Sequence, residues 1–368
     1  MKILKTIAVQ LFTGANIATI LLLWFCCLVT YLNPASFPKL SLLTLLFPAF
    51  LLMNVAFVVF WLIFKVKRVW LPLVGTLVCY SFIRDYCPIN PGFMQHVPDT
   101  ASTKTLKVLS YNTLSFGDNN EMGKEGSQAL IDFITTSDAD IICLQESWGG
   151  TVKLSDVNSR MEKRGYKRHT QKSLALYTRL SILKAEKIDF PGSQEMGFCA
   201  WLLDSQDTIL LINSHLKSNR LTKSVKENYR DVIGSDVKNV YESNMRDTLR
   251  QKLSPLVRML AEAAPVRAQQ VDTLQRIIND WLPRPLILCG DFNDTPVSYT
   301  LRELTKNLQS AYRESGTGWG FTFHERGFPI RIDHILFTPE HWYSYHTTVN
   351  RTVSASDHFP IMTHLARK

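Results

Sequence analysis

No charged residue occurs between Lys5 and Lys39, or between Lys39 and Lys65. A helix needs about 20 apolar residues to cross a bilayer core, and both gaps supply them. The first contains Ile17 to Leu32, centred on Leu21-Leu22-Leu23-Trp24-Phe25. The second is Leu40 to Phe64, interrupted only by Ser41, Thr44, Pro48 and Asn54. A third run, Val69 to Ile83, has 15 residues between Arg68 and Arg84. It reaches spanning length if Arg84 and the ring of Tyr86 sit at the interface. These runs predict a transmembrane region over residues 1–86 with about three helices, roughly 8–32, 40–64 and 69–86. Residues 87–104, with Pro88, Pro91, Gly92 and Pro98, read as a linker.

The basic residues orient these spans. Lys2 and Lys5 precede the first, and Lys65, Lys67 and Arg68 follow the second, while Lys39 stands alone between them. The positive-inside rule puts the N-terminus and the 65–68 loop in the cytoplasm. If the third run crosses, the rest of the chain is extracytoplasmic, on an integral protein of the cell membrane.

Composition separates the remainder from this region. Residues 1–100 hold seven Lys/Arg and two Asp/Glu, leaving 34 and 30 for residues 101–368. Those 268 residues have the mixed make-up of a globular domain large enough for a sizeable core. Their small positive excess is too weak to argue nucleic-acid binding from bulk charge. The seven cysteines lie mostly in apolar runs, as buried thiols do, and form no disulfide framework.

Short apolar runs bounded by turn residues predict strands at Leu106–Tyr111, Asp140–Leu144, Ser173–Tyr177, Phe198–Leu203, Thr208–Ser214, Leu286–Cys289, Ile330–Phe337 and Pro360–Leu365. Helical spacing marks Leu130, Phe133 and Ile134, then Leu249 to Leu260, then Val271 to Trp281, with Pro265 separating the last two sets. Strands come first and last with helices between, which predicts an α/β sandwich.

Polar residues stand at the strand ends: Asn112, Glu146, His215, Asp291 with Asn293, Asp333, and Asp357 with His358. Any one of them has an ordinary structural use as a cap, a turn former or a satisfied histidine. Six such groups in one domain suit phosphoester hydrolysis. Oxygen donors such as Glu146, Asn112 and Asp357 favour Mg²⁺ or Mn²⁺ over zinc. An imidazole with a carboxylate, as His358 with Asp333 would be, suits proton transfer.

Ser110-Tyr111-Asn112, Ile142-Cys143-Leu144-Gln145-Glu146, Asn213-Ser214-His215, Gly290-Asp291-Phe292-Asn293, Arg331-Ile332-Asp333-His334-Ile335 and Ser356-Asp357-His358 follow one another in order. In these motifs residues 105–368 resemble the endonuclease/exonuclease/phosphatase superfamily, which includes deoxyribonucleases, apurinic endonucleases, inositol polyphosphate 5-phosphatases and neutral sphingomyelinases. The resemblance implies a four-layered α/β/β/α sandwich with the site at one rim. It implies Glu146 as principal metal ligand, with Asn112 and Asp357 supporting. It also implies Asp291 and Asn293 placing the water and a phosphate oxygen, and His358, oriented by Asp333, as general base or transition-state stabiliser. His215 falls where the deoxyribonuclease and sphingomyelinase branches carry His and the apurinic-endonuclease branch Tyr, which argues against a DNA-repair enzyme.

Two departures stand out. The connection from His215 to Asp291 is long and carries a helical insertion at about 217–282, and no acidic partner for His215 is evident. Residues 217–258 hold ten Lys/Arg against five Asp/Glu, a surface suited to anionic lipid head groups or a polyanionic substrate, or simply to water. The expected function is a membrane-anchored, Mg²⁺-dependent phosphoester hydrolase working beside the lipid bilayer. Its phosphorylated substrate is a nucleic acid, a phospholipid head group or a small phosphoester. The alternative is a membrane-tethered binding module on a degenerate fold.

Overall fold

The structure, a computed structural model, describes residues 2–92, 95, 97–98, 103–117, 123–148, 154–205, 207–219, 223–234, 245–324 and 329–368. Parts of the expected linker (93–94, 96 and 99–102) and of the charged insertion (220–222 and 235–244) lie outside the described residues.

The chain opens with a helix over Lys2–Val29. Two short turns, Pro38–Ser41 and Leu42–Leu46, lead into the helix Phe47–Phe64. Thr6–Val29 and Pro38–Phe64 are each long and apolar enough to cross a membrane. Their interface satisfies its own polar groups: Asn16 Nδ2 donates to Asn54 Oδ1 at 3.3 Å, and Trp61 Nε1 to Asn16 Oδ1 at 3.0 Å. The third apolar run is not one straight helix. Trp70–Val78 and Tyr80–Tyr86 meet at a 66° bend. At the bend the Cys79 amide reaches the Thr76 carbonyl at 3.0 Å, a tightened turn after which the helix restarts in a new direction.

Beyond residue 104 the described residues form two six-stranded sheets. The first contains β1 (Thr105–Asn112), β2 (Ile141–Gln145), β3 (Lys167–Gln171), β4 (Leu174–Thr178), β11 (Trp342–Val349) and β12 (Ile361–Arg367), in the order β11-β12-β1-β2-β4-β3. The second contains β5 (Ser181–Asp189), β6 (Met196–Asp204), β7 (Asp207–His215), β8 (Leu286–Asp291), β9 (Gln309–Ser310) and β10 (Asp333–Phe337), in the order β5-β6-β7-β8-β10-β9. Each sheet has one parallel pair, β1 with β2 and β7 with β8.

Alternation along the central strands builds the layers. Val108, Ile141, Cys143, Ile209, Leu211, Ile287, Cys289 and Ile335 point between the sheets and form the inner core. Their neighbours Leu109, Ile142 and Leu144 pack on Leu130, Ile134, Val157 and Met161 from the helices Gly123–Thr136 and Leu154–Lys163. On the other side Leu210, Ile212 and Leu288 pack on Val271, Leu274, Ile278 and Trp281. The architecture is the four-layered sandwich. One position here demands glycine: a Cβ on Gly290 of β8 would lie 1.9 Å from the Ser214 carbonyl oxygen on β7.

Pro265 does not divide the insertion. A single helix, Met245–Trp281, runs through both Pro255 and Pro265. Its apolar stripe continues across the proline through Leu260, Ala264, Ala268 and Val271, so burial on both sides outweighs the missing hydrogen bond.

The sandwich is fastened to the N-terminal region. Arg331, entering β10, donates to the carbonyls of Trp319 at 2.8 Å and Tyr86 at 3.3 Å, and also to that of Asp85. Arg313 pairs with Asp85 at 2.7 Å, and the Arg302 guanidinium lies 3.8 Å from the centre of the Tyr31 ring.

Candidate active site

The alternation that fills the inner core continues to one rim, where the inward positions become polar. Asn112 ends β1, Gln145 ends β2, Asn213 and His215 end β7, Asp291 ends β8 and Asp333 begins β10. Glu146 follows β2 with a left-handed backbone, φ 49°. Its carbonyl accepts from the Ser115 amide at 2.8 Å and from Thr113 Oγ1 at 3.1 Å, and these bonds hold the turn.

All eight residues predicted from sequence are at this rim. Asn112 Nδ2 donates to Asp291 Oδ2 at 3.0 Å and to Glu146 Oε1 at 3.1 Å, so one amide bridges two carboxylates from different sheets. Asp291 Oδ1 accepts from the Asn293 amide at 2.9 Å, and Asn293 Nδ2 donates to the Leu216 carbonyl at 3.2 Å. His215 Nε2 lies 3.6 Å from Asp291 Oδ2 and 3.8 Å from Glu146 Oε1, which places the acidic groups that the sequence did not reveal. His358 Nδ1 meets Asp333 Oδ2 at 2.8 Å, and its Nε2 is 3.8 Å from Asp291 Oδ2. Asp357 lines the same cavity as Glu146, Asp291 and His358, with Oδ1 buried and unpaired among the described residues.

Several side chains support the site: Gln145 and Asn213, which the sequence marks as polar strand-end residues without a role, Ser356 of the Ser356-Asp357-His358 motif, and Thr322 and Arg267, which no motif marks. Gln145 Nε2 donates to Asn213 Oδ1 at 2.8 Å, and Asn213 Nδ2 to the Leu144 and Ala175 carbonyls at 3.2 Å, further bonds between the sheets. The parity of Gln145 and Asn213 with Cys143 and Leu211 was the available signal. Ser356 Oγ donates to the Asn112 carbonyl at 2.8 Å and accepts from the His358 amide at 3.1 Å. Thr322 Oγ1 accepts from the Asp333 amide at 3.1 Å. Arg267, buried on the insertion helix, lies 3.5 Å from Asp294 Oδ2. A basic residue on the stripe of Ala264, Ala268 and Val271 was its trace in the sequence.

The electrostatics divide the rim. Burial disfavours a charged His358, but Asp333 and Asp291 outweigh it and push the imidazole up to about 10. Asp291 is raised by burial and by the Asp333 carboxylate, against the pull of His358 and His215. Burial drives His334 down to about 3.

Asp291, Asp333 and His358 offer donor atoms within 4.8 Å of one another. The Asp333–His358 hydrogen bond already occupies two of those donors. Glu146, at 28% exposure, and Asp291 are carboxylates bridged by the Asn112 amide and open to the cavity, and this pair fits a hard divalent cation better.

The endonuclease/exonuclease/phosphatase family matches residues 109–358. The chain belongs to that family. Membership makes this endonuclease/exonuclease/phosphatase protein a phosphoester hydrolase. A second family, described as a domain of unknown function, matches residues 9–86. No curated protein matches the chain. Among solved structures, the human nocturnin catalytic domain with bound sulfate is similar at 16% identity and TM-score 0.50, covering 74% of this chain and 100% of its own. A Bacteroides thetaiotaomicron endonuclease/exonuclease/phosphatase family protein is 17% identical (TM-score 0.48; 73% of this chain and 99% of that one). Truncated Caenorhabditis elegans TDP2 is 14% identical (TM-score 0.48; 71% and 97%). The nocturnin likeness concerns the fold.

Proposed function

We propose that the chain is a membrane-anchored, Mg²⁺-dependent phosphoester hydrolase whose catalytic domain stands on the extracytoplasmic side of the cell membrane. The transmembrane region comprises residues 1–86, and the catalytic domain residues 105–368. The observation that carries the chemistry is the bridge from Asn112 to both Glu146 and Asp291, beside the His358–Asp333 pair.

Glu146, Asn112 and Asp357, with Asp291 beside them, would hold Mg²⁺, and the same oxygen donors suit Mn²⁺. When bound, the ion supplies neutralisation of phosphoryl charge. The protein's own groups divide the remaining work. Asp333 and Asp291 favour the protonated imidazole of His358, which suits it to stabilise charge developing on a phosphoryl oxygen. Asp333 holds its ring in place. Asp291, held between Asn112 and the Asn293 amide, accepts the proton of the attacking water. Asn293 and His215 orient the water and a phosphate oxygen. A phosphodiester or a phosphomonoester fits this scheme, whether the phosphate belongs to a nucleic acid, a phospholipid head group or a small molecule.

The orientation is supported by the course of the third apolar run. Gly75 lies against Ile20, Cys79 Sγ is 3.5 Å from Cys27 Sγ, and the Tyr86 ring is 5.8 Å from that of Phe47. The run therefore climbs beside the first helix from the basic 65–68 end to the opposite end, where the sandwich is fastened.

The test is hydrolysis of bis-p-nitrophenyl phosphate, plasmid DNA, RNA, sphingomyelin and inositol phosphates by the full chain in detergent micelles, with Mg²⁺, with Mn²⁺ and with chelator. Metal-dependent turnover that Glu146→Gln weakens is the expected result. Failure on every substrate, or turnover indifferent to chelator, overturns the reading.

A further inference from the structure

The catalytic rim, where Glu146 is 28% exposed, adjoins a large cavity. The cavity, of about 1080 Å³, reaches the N-terminal region, with Glu146, Asp291, Asp357 and His358 at the polar end. The walls beyond are leucine-rich: Leu45, Leu46 and Leu52 from the segment entering the second apolar helix, and Leu253, Leu256 and Leu260 from the insertion helix.

Both walls are made by elements that the sandwich does not need. The second half of the insertion helix, from Val271 to Trp281, covers the second sheet. Its first half projects past the sheet and turns its leucines to the cavity. Leu46 and Leu52 line the cavity while remaining 45% and 57% exposed, so the cavity is continuous with the apolar exterior of the helices that fit a bilayer. Lys39 also lines it, at the start of the second long apolar stretch, where a cation faces lipid head groups.

We propose that this cavity takes the hydrocarbon tail of a lipid phosphoester drawn from the adjoining leaflet and presents its phosphate to the rim. The proposal rests on the hydrolase reading and names the substrate class of the same site. A polar metabolite gains nothing from leucine walls, whereas each methylene removed from water on a tail favours binding. A single-stranded nucleic acid wants a basic groove with separate aromatic platforms. Here Trp319 and Phe321 stack on each other, with centroids 6.0 Å apart, and Arg267 is held by Asp294.

The test uses the full chain in phosphatidylcholine proteoliposomes with Mg²⁺ and three probes: methyl, octyl and hexadecyl p-nitrophenyl phosphate. In each, water supplies the new oxygen on phosphorus and the bond to p-nitrophenolate breaks, so only the tail differs. The proposal expects kcat/KM to rise at least about tenfold from methyl to octyl, on the scale of methylene burial. Leu256→Trp and, on the opposite wall, Leu45→Trp should each collapse the hexadecyl-to-methyl ratio. A hexadecyl phosphonate bearing a diazirine at its tail end should label residues 42–52 or 253–260, whether or not a variant folds.

Equal rates on the three esters, labelling elsewhere, or an unchanged ratio in both variants would sink the tail site and leave the hydrolase standing. A single-stranded oligonucleotide cleaved faster than the hexadecyl ester would do the same. No hydrolysis of any ester or of the oligonucleotide would instead remove the hydrolase reading itself.

Discussion

Arg331 donates to the Tyr86 carbonyl at 3.3 Å, joining the end of the third apolar run to the residue two places before Asp333. The guanidinium is buried, and burial lowers its pKa to about 10 against the support of Tyr312, Tyr86 and Asp85. Arg331→Leu would orphan the carbonyls of Asp85, Tyr86 and Trp319, each costing about 1–3 kcal/mol if it stays dry. A clear fall in Tm by thermal unfolding in micelles is expected. An unchanged Tm would show that this junction does not hold the two regions together.

His358→Gln and Asp333→Asn should each lower kcat by about 10²-fold or more, the usual scale for losing a donor that stabilises transition-state charge, or the group that holds it in place. Glu146→Gln should in addition raise the Mg²⁺ concentration needed for half-maximal rate. Metal titrations of the three variants separate the two effects. A His358→Gln enzyme with near-normal turnover would remove His358 from the mechanism.

The His358 shift also sets a pH dependence of stability. Its folded pKa, about 10, lies above the ordinary 6.5, so the imidazolium's contribution is fully present below 6.5 and disappears as pH rises to about 10. In chelator, the Tm advantage of wild type over His358→Gln should therefore be greatest at about pH 6 and shrink towards about pH 10. A constant difference across that window would contradict the charge assignment.

Gly290→Ala would drive a methyl group into the Ser214 carbonyl, which the parallel β7–β8 pair holds in place. A loss above about 3 kcal/mol, beyond ordinary overpacking, is expected from denaturant titration.

An alkaline phosphatase fused after Thr103 should be active if the third run crosses the membrane, and a fluorescent cytoplasmic reporter there should be dark. The reverse pattern would make the bent run a re-entrant segment and place the catalytic domain in the cytoplasm.

All eight strands expected from apolar runs exist, and the four added by the structure are the edges: β3 and β11 in one sheet, β5 and β9 in the other. An edge strand buries less. Lys167–Gln171 has no buried residue, and Ser181–Asp189 has one, Ile188, so neither carries an apolar run to detect. The rim was readable because polar residues interrupt strong strands at inward positions. The cavity was not, because its walls come from leucines roughly 200 residues apart that each look like ordinary helix surface. The continuity through Pro265 escaped for a related reason: a proline speaks against a helix locally, while the sheet beneath decides for it.

Hydrogen bonds cross the gap between the sheets at the rim, among them Asn112 to Asp291 at 3.0 Å, Gln145 to Asn213 at 2.8 Å, and Asn213 to the Leu144 carbonyl at 3.2 Å. The jaws of the site are thus the ends of two plates whose separation is gauged by Val108, Cys143, Ile287 and their neighbours deep inside. A wedge driven between the plates, such as Cys143→Leu, widens the jaws before it breaks the molecule. Turnover is then the more sensitive strain gauge of the core, and it should fail on warming well before the plates separate.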